Sequence, residues 1–217
     1  KITGKINGVF NEGPVSFSAD GREVIFTRTN TKRAKDGNRK LGLYHADYDS
    51  VKKEWGNIQS LSINNTEYNV VHPSLSKDGN TLYFVSDMPG GEGETDIYKS
   101  SKADNVWGAP VSLGNKVNTV GREMFPFLAN DSLLYFSTDT RVGLGGLDIY
   151  SAVLINNEWT NVTNPGTPLN SMADDFGYVS HENGLQGYIA SDRAGGKGSD
   201  DIYRFIKTDN TSRLVIA

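Results

Sequence analysis

The sequence predicts an all-β fold, a β-propeller with four recognisable four-stranded blades of about 52 residues. Two observations predict it. Aromatic landmarks recur at one spacing: Trp55, Trp107 and Trp159 lie 52 residues apart, and Tyr44, Tyr98, Tyr150 and Tyr203 follow at 54, 52 and 53. Between them, short runs of alternating apolar and polar residues repeat in one order, with turn signals at regular intervals. A high glycine count (24 of 217) and a hydrophobic content of 36% fit many short strands and tight turns. Propellers hold about 4–8 blades, so the four are expected to belong to a ring of about six.

The repeat divides a single domain, residues 1–217, into blades at about 10–65, 66–117, 118–169 and 170–210. Residues 1–9 are expected to be the tail of a preceding blade, because KITGKINGVFNEGP matches the end of a repeat, VSLGNKVNTVGREMFP. The chain is therefore expected to begin part-way through a blade.

Each blade opens with a hairpin: GPVSFSADGREVIFTR, HPSLSKDGNTLYFVSD, MFPFLANDSLLYFSTD and DFGYVSHENGLQGYIASD. Asp20-Gly21, Asp78-Gly79 and Asn183-Gly184 are its turns, since glycine adopts φ > 0 without a Cβ clash. The third strands are LGLYHAD, TDIYKSS, LDIYSAV and DDIYRFI. A Trp-led fourth strand follows in KEWGNIQSL, NVWGAPVSL and NEWTNVTNP. The recurrent Tyr and Trp are expected to pack between neighbouring blades.

Second and third strands are joined in three blades by Gly-rich loops, Ser86–Asp96, Ser137–Asp148 and Ser191–Asp201. A phosphate cradle needs a helix after the glycines, and here a strand follows. A calcium loop would use the same acidic oxygens. Three copies favour a framework role: Asp87, Asp139 and Asp192 would cap N–H groups in the hairpin, and Asp96, Asp148 and Asp201 would tie the far end of the loop. No metal and no cofactor is expected.

The heads of the first strands differ in chemistry between blades. Counting back from Pro14, Pro73, Pro126 and Gly177 gives Glu12, His72, Glu123 and Asp175, with Arg122 and Asp174 beside them. In a propeller these positions lie at one mouth of the channel, so they are the candidate binding residues. No catalytic residue is assigned: neither a G-x-S-x-G elbow nor an H-E-x-x-H is present, and the three histidines lie in no catalytic motif. Glu12, Glu123 and Asp175 could supply a glycosidase pair only if two carboxyl groups faced each other.

Net charge is −4 and the longest basic cluster is Lys32-Arg33-Ala34-Lys35, which argues against nucleic acid. No apolar stretch approaches the length of a membrane span. There is no cysteine, which removes disulfides and thiolate chemistry.

HPSLSKDGNTLYFVSDMPGGEGETDIYKS, GREMFPF with LYFSTD and GLGGLDIYSA, and PLNSMADDFGYV with GYIASDRAGGKGSDDIYRF resemble the TolB-like propeller repeats of Gram-negative OmpA-family envelope lipoproteins. The resemblance covers nearly the whole chain. It departs in the first blade, where TNTKRAKDGNRKLG replaces the Gly-rich loop. It implies a periplasmic, outer-membrane-associated, non-catalytic scaffold, with envelope proteins or components of a secretion system such as type IX as partners. Peptidoglycan would be bound through other domains of the parent chain. A carbohydrate- or peptide-binding lectin-like propeller and a glycoside-active or peptidase-associated propeller are the alternatives.

Overall fold

The computed structural model describes residues 3–4, 6–8, 11–208 and 211–216. Of the expected tail 1–9, residues 1, 2, 5 and 9 lie outside the described residues; Gly4 forms a parallel bridge to Trp55. The described residues contain strands and turns and no helix, so no helix is long and apolar enough to cross a membrane.

Four antiparallel sheets follow one another along the chain. The first is β1 (Glu12–Phe17), β2 (Glu23–Thr29), β3 (Leu41–Asp49) and β4 (Glu54–Ser60). The second is β5 (Val70–Leu75), β6 (Thr81–Ser86), β7 (Asp96–Ala103) and β8 (Val106–Trp107), with β9 (Val111–Ser112) also paired to β7. Its fourth strand is thus split in two at Gly108–Pro110. The third is β10 (Glu123–Asn130), β11 (Leu133–Thr138), β12 (Asp148–Ile155) and β13 (Glu158–Thr163). The fourth is β14 (Asp175–Ser180), β15 (Gln186–Ser191), β16 (Asp201–Thr208) and β17 (Thr211–Ile216). Strand order equals sequence order, as hairpin connections require. Each sheet is one blade.

The chain forms two compact units. One holds residues up to Gly91 together with Ile97–Ser112; the other holds Glu92–Asp96 and everything from Leu113. In the first unit, Ile25, Leu43, Leu61 and Ile63 of the first blade meet Leu82, Phe84, Tyr98 and Trp107 of the second in one buried cluster. In the second unit, Tyr135 and Ile149 meet Tyr178, Ile189, Tyr203 and Phe205 likewise. Each such side chain, fully buried, stabilises the fold by about 1.5–3 kcal/mol.

The aromatic landmarks divide in role. Trp107 packs between blades as its recurrence predicts. Trp55 instead packs with Phe17 and Tyr48 of its own blade, centroids 5.6 and 5.2 Å away. Tyr44 and Tyr150 lie beside their cross-strand partners Phe26 and Phe136 within one blade. Their hydroxyls reach into the loop between second and third strand: Tyr44 donates to Asn30 Oδ1, Tyr150 to the Val142 carbonyl and Tyr203 to the Arg193 carbonyl. Tyr44 and Tyr150 thus join two strands and a loop of one blade, whereas Tyr98 and Tyr203 also enter the clusters shared with the preceding blade, as expected.

All four first strands carry a bulge after the second or third residue, where register shifts between Glu12 and Val15, Val71 and Ser74, Met124 and Phe127, and Phe176 and Val179. His72, Phe125 and Gly177 occupy the bulge in the left-handed region, at φ 51°, 52° and 63°. Histidine tolerates that region better than most residues and glycine takes it freely; Phe125 is the strained member.

Candidate functional site

Register aligns the strand heads and corrects one of them. Glu12 pairs with Arg28, Val70 with Ser86, Glu123 with Thr138 and Asp175 with Ser191. The second blade therefore places Val70 where the others place an acid. His72 lies two residues further on, at the bulge. Counting back from proline fails because Pro14, Pro73 and Pro126 follow their strand heads by different numbers of residues.

The three acids share one arrangement. Each accepts a backbone N–H from the residue four positions earlier: Gly8 to Glu12 (3.0 Å), Thr119 to Glu123 (2.8 Å) and Ser171 to Asp175 (2.5 Å). The carboxylate thereby closes the turn that leads into its strand. The rest of its environment is particular to the blade. Glu12 faces Arg28 at 3.4 Å. Glu123 is fully buried and accepts the hydroxyls of Thr119 (2.6 Å) and Thr138 (2.8 Å), and burial pushes its carboxyl above the usual range. Asp175, also fully buried, accepts the Ser171 hydroxyl and pairs with Arg193. Buried acids held this way are anchored groups.

His72 is half-buried, and desolvation lowers its pKa to about 4. Its N–H donates to Thr27 Oγ1 at 3.1 Å, linking the first two blades. Arg122 donates through Nε to Asp139 Oδ2 at 2.7 Å, and its N–H to Oδ1. Asp174 donates its N–H to Asp192 and accepts the Leu147 N–H, both at 2.8 Å. In the second blade Asn69 donates both its N–H and its side-chain amide to Asp87. So Asp87, Asp139 and Asp192 bond the residue just ahead of the first strand of their own blade. They were expected to cap their own hairpin. The serine before two of them takes that part: Ser86 and Ser191 accept the N–H of Met88 and Arg193.

The far ends of the Gly-rich loops follow one rule, G-x-G-x-x-D. Asp96 Oδ2 accepts the N–H of Glu92 and Gly93, Asp148 Oδ2 those of Leu144 and Gly145, and Asp201 Oδ2 those of Lys197 and Gly198. The glycines admit close approaches. A Cβ on Gly143 or Gly196 would meet the aspartate of its own loop at 1.9–2.0 Å, and a Cβ on Gly145 would meet the Ala173 carbonyl at 1.9 Å. A Cβ on Gly93 would meet the Thr119 carbonyl at 2.2 Å. Asp96 Oδ1 and Asp148 Oδ1 are buried with no hydrogen-bond partner, and burial raises the Asp96 pKa.

Two sets of residues escaped sequence reasoning. Asn64 and Asn170 each accept the N–H and donate to the carbonyl of one third-strand residue, Leu43 and Ile149. Their recurrence, with Asn118 between at spacings of 54 and 52, was available as a signal. Arg193 donates to the Pro168 and Leu169 carbonyls, and Arg141 to the Lys116 and Val117 carbonyls, the same places one repeat earlier. The arginines lie 52 residues apart, as do the carbonyls they reach, so the repeat marked them as well.

A groove of about 530 Å³ lies in the first unit, lined among others by Glu23, His45, Asp47, Gln59, Lys102 and Trp107. None of the sequence-derived candidates lines it.

No family model matches the chain, and no curated protein matches it. Solved structures do. TolB from Acinetobacter baumannii aligns with 95% of this chain and 44% of its own, at 13% identity and a TM-score of 0.59. A putative TolB from Agrobacterium tumefaciens aligns with 97% of this chain and 63% of its own, at 15% identity and 0.60. This chain has a TolB-like propeller fold. It spans about half the length of those two TolB chains. The same fold is shared by a puromycin-hydrolysing peptidase of Mycobacterium tuberculosis, at 17% identity and a TM-score of 0.55 over 95% of this chain and 31% of the peptidase. A thermostable family-43 glycoside hydrolase matches 92% of this chain and 72% of its own, at 16% identity and 0.51. At such identities the likeness is one of fold.

Proposed function

We propose that this TolB-like propeller is a non-catalytic protein-interaction scaffold of the bacterial periplasm, associated with the outer membrane and serving envelope anchoring or protein secretion. The observation that carries the reading is the state of the buried acids. Glu123 and Asp175 are the two carboxylates best placed by sequence for catalysis. Both are fully buried and held by hydroxyls, a backbone N–H or a guanidinium. A general acid or nucleophile must reach substrate, and these serve the framework. The likeness to TolB supports a partner-binding role, and the resemblance of the Gly-rich repeats to OmpA-family lipoproteins supports the envelope location. Affinity capture from a Gram-negative envelope extract, with the tagged chain as bait and an unrelated propeller as control, tests the reading. Recovery of one or a few envelope proteins in near-stoichiometric amount is the expected outcome; recovery of nothing above the control would overturn it.

A second reading has its own observation. The groove beside Trp107 combines an indole edge with the amides of Asn57 and Gln59, the inventory of a glycan or peptide subsite. Calorimetry with muropeptides and with short peptides separates it from the first: saturable heat that Trp107→Ala removes supports it, and no heat at millimolar ligand rejects it.

A further inference from the structure

The first blade places an imidazole and two carboxylates together at the rim of the sheet face whose Ile25 and Leu43 pack against the second blade. Glu23 on β2 and Asp47 on β3 are direct cross-strand partners, and His45 lies two residues before Asp47 on the same side. Like charges opposite each other on a sheet are destabilising. Lys102 pairs with Glu23 only loosely, at 3.9 Å. Nothing in the repeat requires this trio, since the aromatic, Asp and Asn positions that build each blade lie elsewhere.

The separations are informative. His45 Nε2 lies 3.4 Å from Asp47 Oδ1 and 3.6 Å from Glu23 Oε2, and one donor atom from each residue falls within 4.8 Å of the others. Both are longer than the usual N–H···O hydrogen bond of about 2.7–3.2 Å. They match the edge of a coordination tetrahedron. Ligands about 2.0–2.2 Å from a common metal ion stand about 3.3–3.6 Å from each other. The surroundings fit as well. Asp47 Oδ2 accepts the Asn57 amide at 2.6 Å, which leaves Oδ1 turned to the imidazole, and Gln59 in turn donates to Asn57 Oδ1 at 3.1 Å. Metal-binding carboxylates are oriented by such outer hydrogen bonds.

We propose that Glu23, His45 and Asp47 form a site for a divalent transition-metal ion of the zinc class. One nitrogen and two oxygen donors suit such an ion, whereas calcium and magnesium favour oxygen alone. Three protein ligands leave the fourth position of a tetrahedral ion open, and all three side chains line the 530 Å³ groove. The partly exposed trio is a surface site, with an exchangeable position for water or the carboxylate of a bound molecule.

The test is calorimetric titration of the chelator-stripped 217-residue chain with zinc chloride, with calcium chloride in parallel. One saturable zinc equivalent and no calcium binding is the expected result. His45→Ala abolishes the saturable phase, Asn57→Ala weakens it by about tenfold or more, and His181→Ala leaves it unchanged. Circular dichroism confirms that the variants are folded. Absence of stoichiometric zinc binding by the parent chain would overturn the proposal, as would binding that survives His45→Ala or is lost with His181→Ala.

Discussion

Asn170 pairs with Ile149 as a strand would: its Oδ1 accepts the Ile149 N–H and its Nδ2 donates to the Ile149 carbonyl, both at 2.8 Å. A side-chain amide thus supplies the two ladder bonds that the open edge of the third strand would otherwise lack at its first turn. All the groups involved are buried. Asn170→Ala leaves two backbone groups unpaired and is expected to lower stability by about 2–4 kcal/mol. Asn170→Asp, which cannot donate, is expected to lose nearly as much. Urea midpoints at constant m-value measure both.

Arg193 links Asp175 to the turn at Pro168 and Leu169. Removing the guanidinium strands a buried carboxylate, so Arg193→Met is expected to cost about 3–5 kcal/mol. Asp175→Asn in that background should restore part of the loss. A double-mutant cycle reads this directly; simple additivity would mean that the pair is not coupled.

The loop glycines are expected to differ by position. Gly145→Ala drives a methyl into the Ala173 carbonyl, and the backbone must move. Gly198→Ala meets only the Asp200 carbonyl at 3.6 Å, an ordinary contact. Thermal melts should show a loss of several degrees for the first and little change for the second.

Asp96 gives a signature in pH. Its folded pKa lies above its unfolded value, so the folded chain keeps a proton that the unfolded chain has released. Its contribution is therefore favourable at acid pH and declines as pH rises from about 4 through the folded value. Asp96→Asn retains an acceptor for Glu92 and Gly93 and removes the charge. The variant is expected to match or exceed the parent at pH 7 and to flatten this part of the profile.

His72 acts with the opposite slope. At a folded pKa of about 4, the unfolded chain takes up its proton first as pH falls. Stability is full above the unfolded value near 6.5 and is lost between there and pH 4, by up to about 3 kcal/mol. His72→Asn, which also tolerates the left-handed bulge, should remove that loss. Melts at pH 7 and pH 4.5 compare the two chains.

The fold was legible because it repeats: turn dipeptides mark three blades, and alternating strands and tyrosine spacing mark all four. The strand heads were half legible. Glu12, Glu123 and Asp175 do share a position, yet their hydrogen bonds to Gly8, Thr119 and Ser171 are local ties that residue type does not reveal. His72 was misaligned because the bulge moves proline relative to the strand head. The Glu23–His45–Asp47 trio escaped because its members come from two strands and meet only through register. Arg193 and Arg141 escaped although they keep the 52-residue spacing, because an arginine in a Gly-rich loop looks like solvated surface until the carbonyls it reaches are known.

The strand heads also bear on how a repeat protein assembles correctly. Near-identical blades invite one blade to dock where another belongs, or to exchange between molecules. Here each acidic strand head is satisfied from within its own blade: Arg28 faces Glu12, Thr119 and Thr138 bond Glu123, and Ser171 and Arg193 hold Asp175. A blade therefore meets its neighbour with its acid already paired, and the choice of neighbour is left to the apolar side chains that gather in the buried clusters.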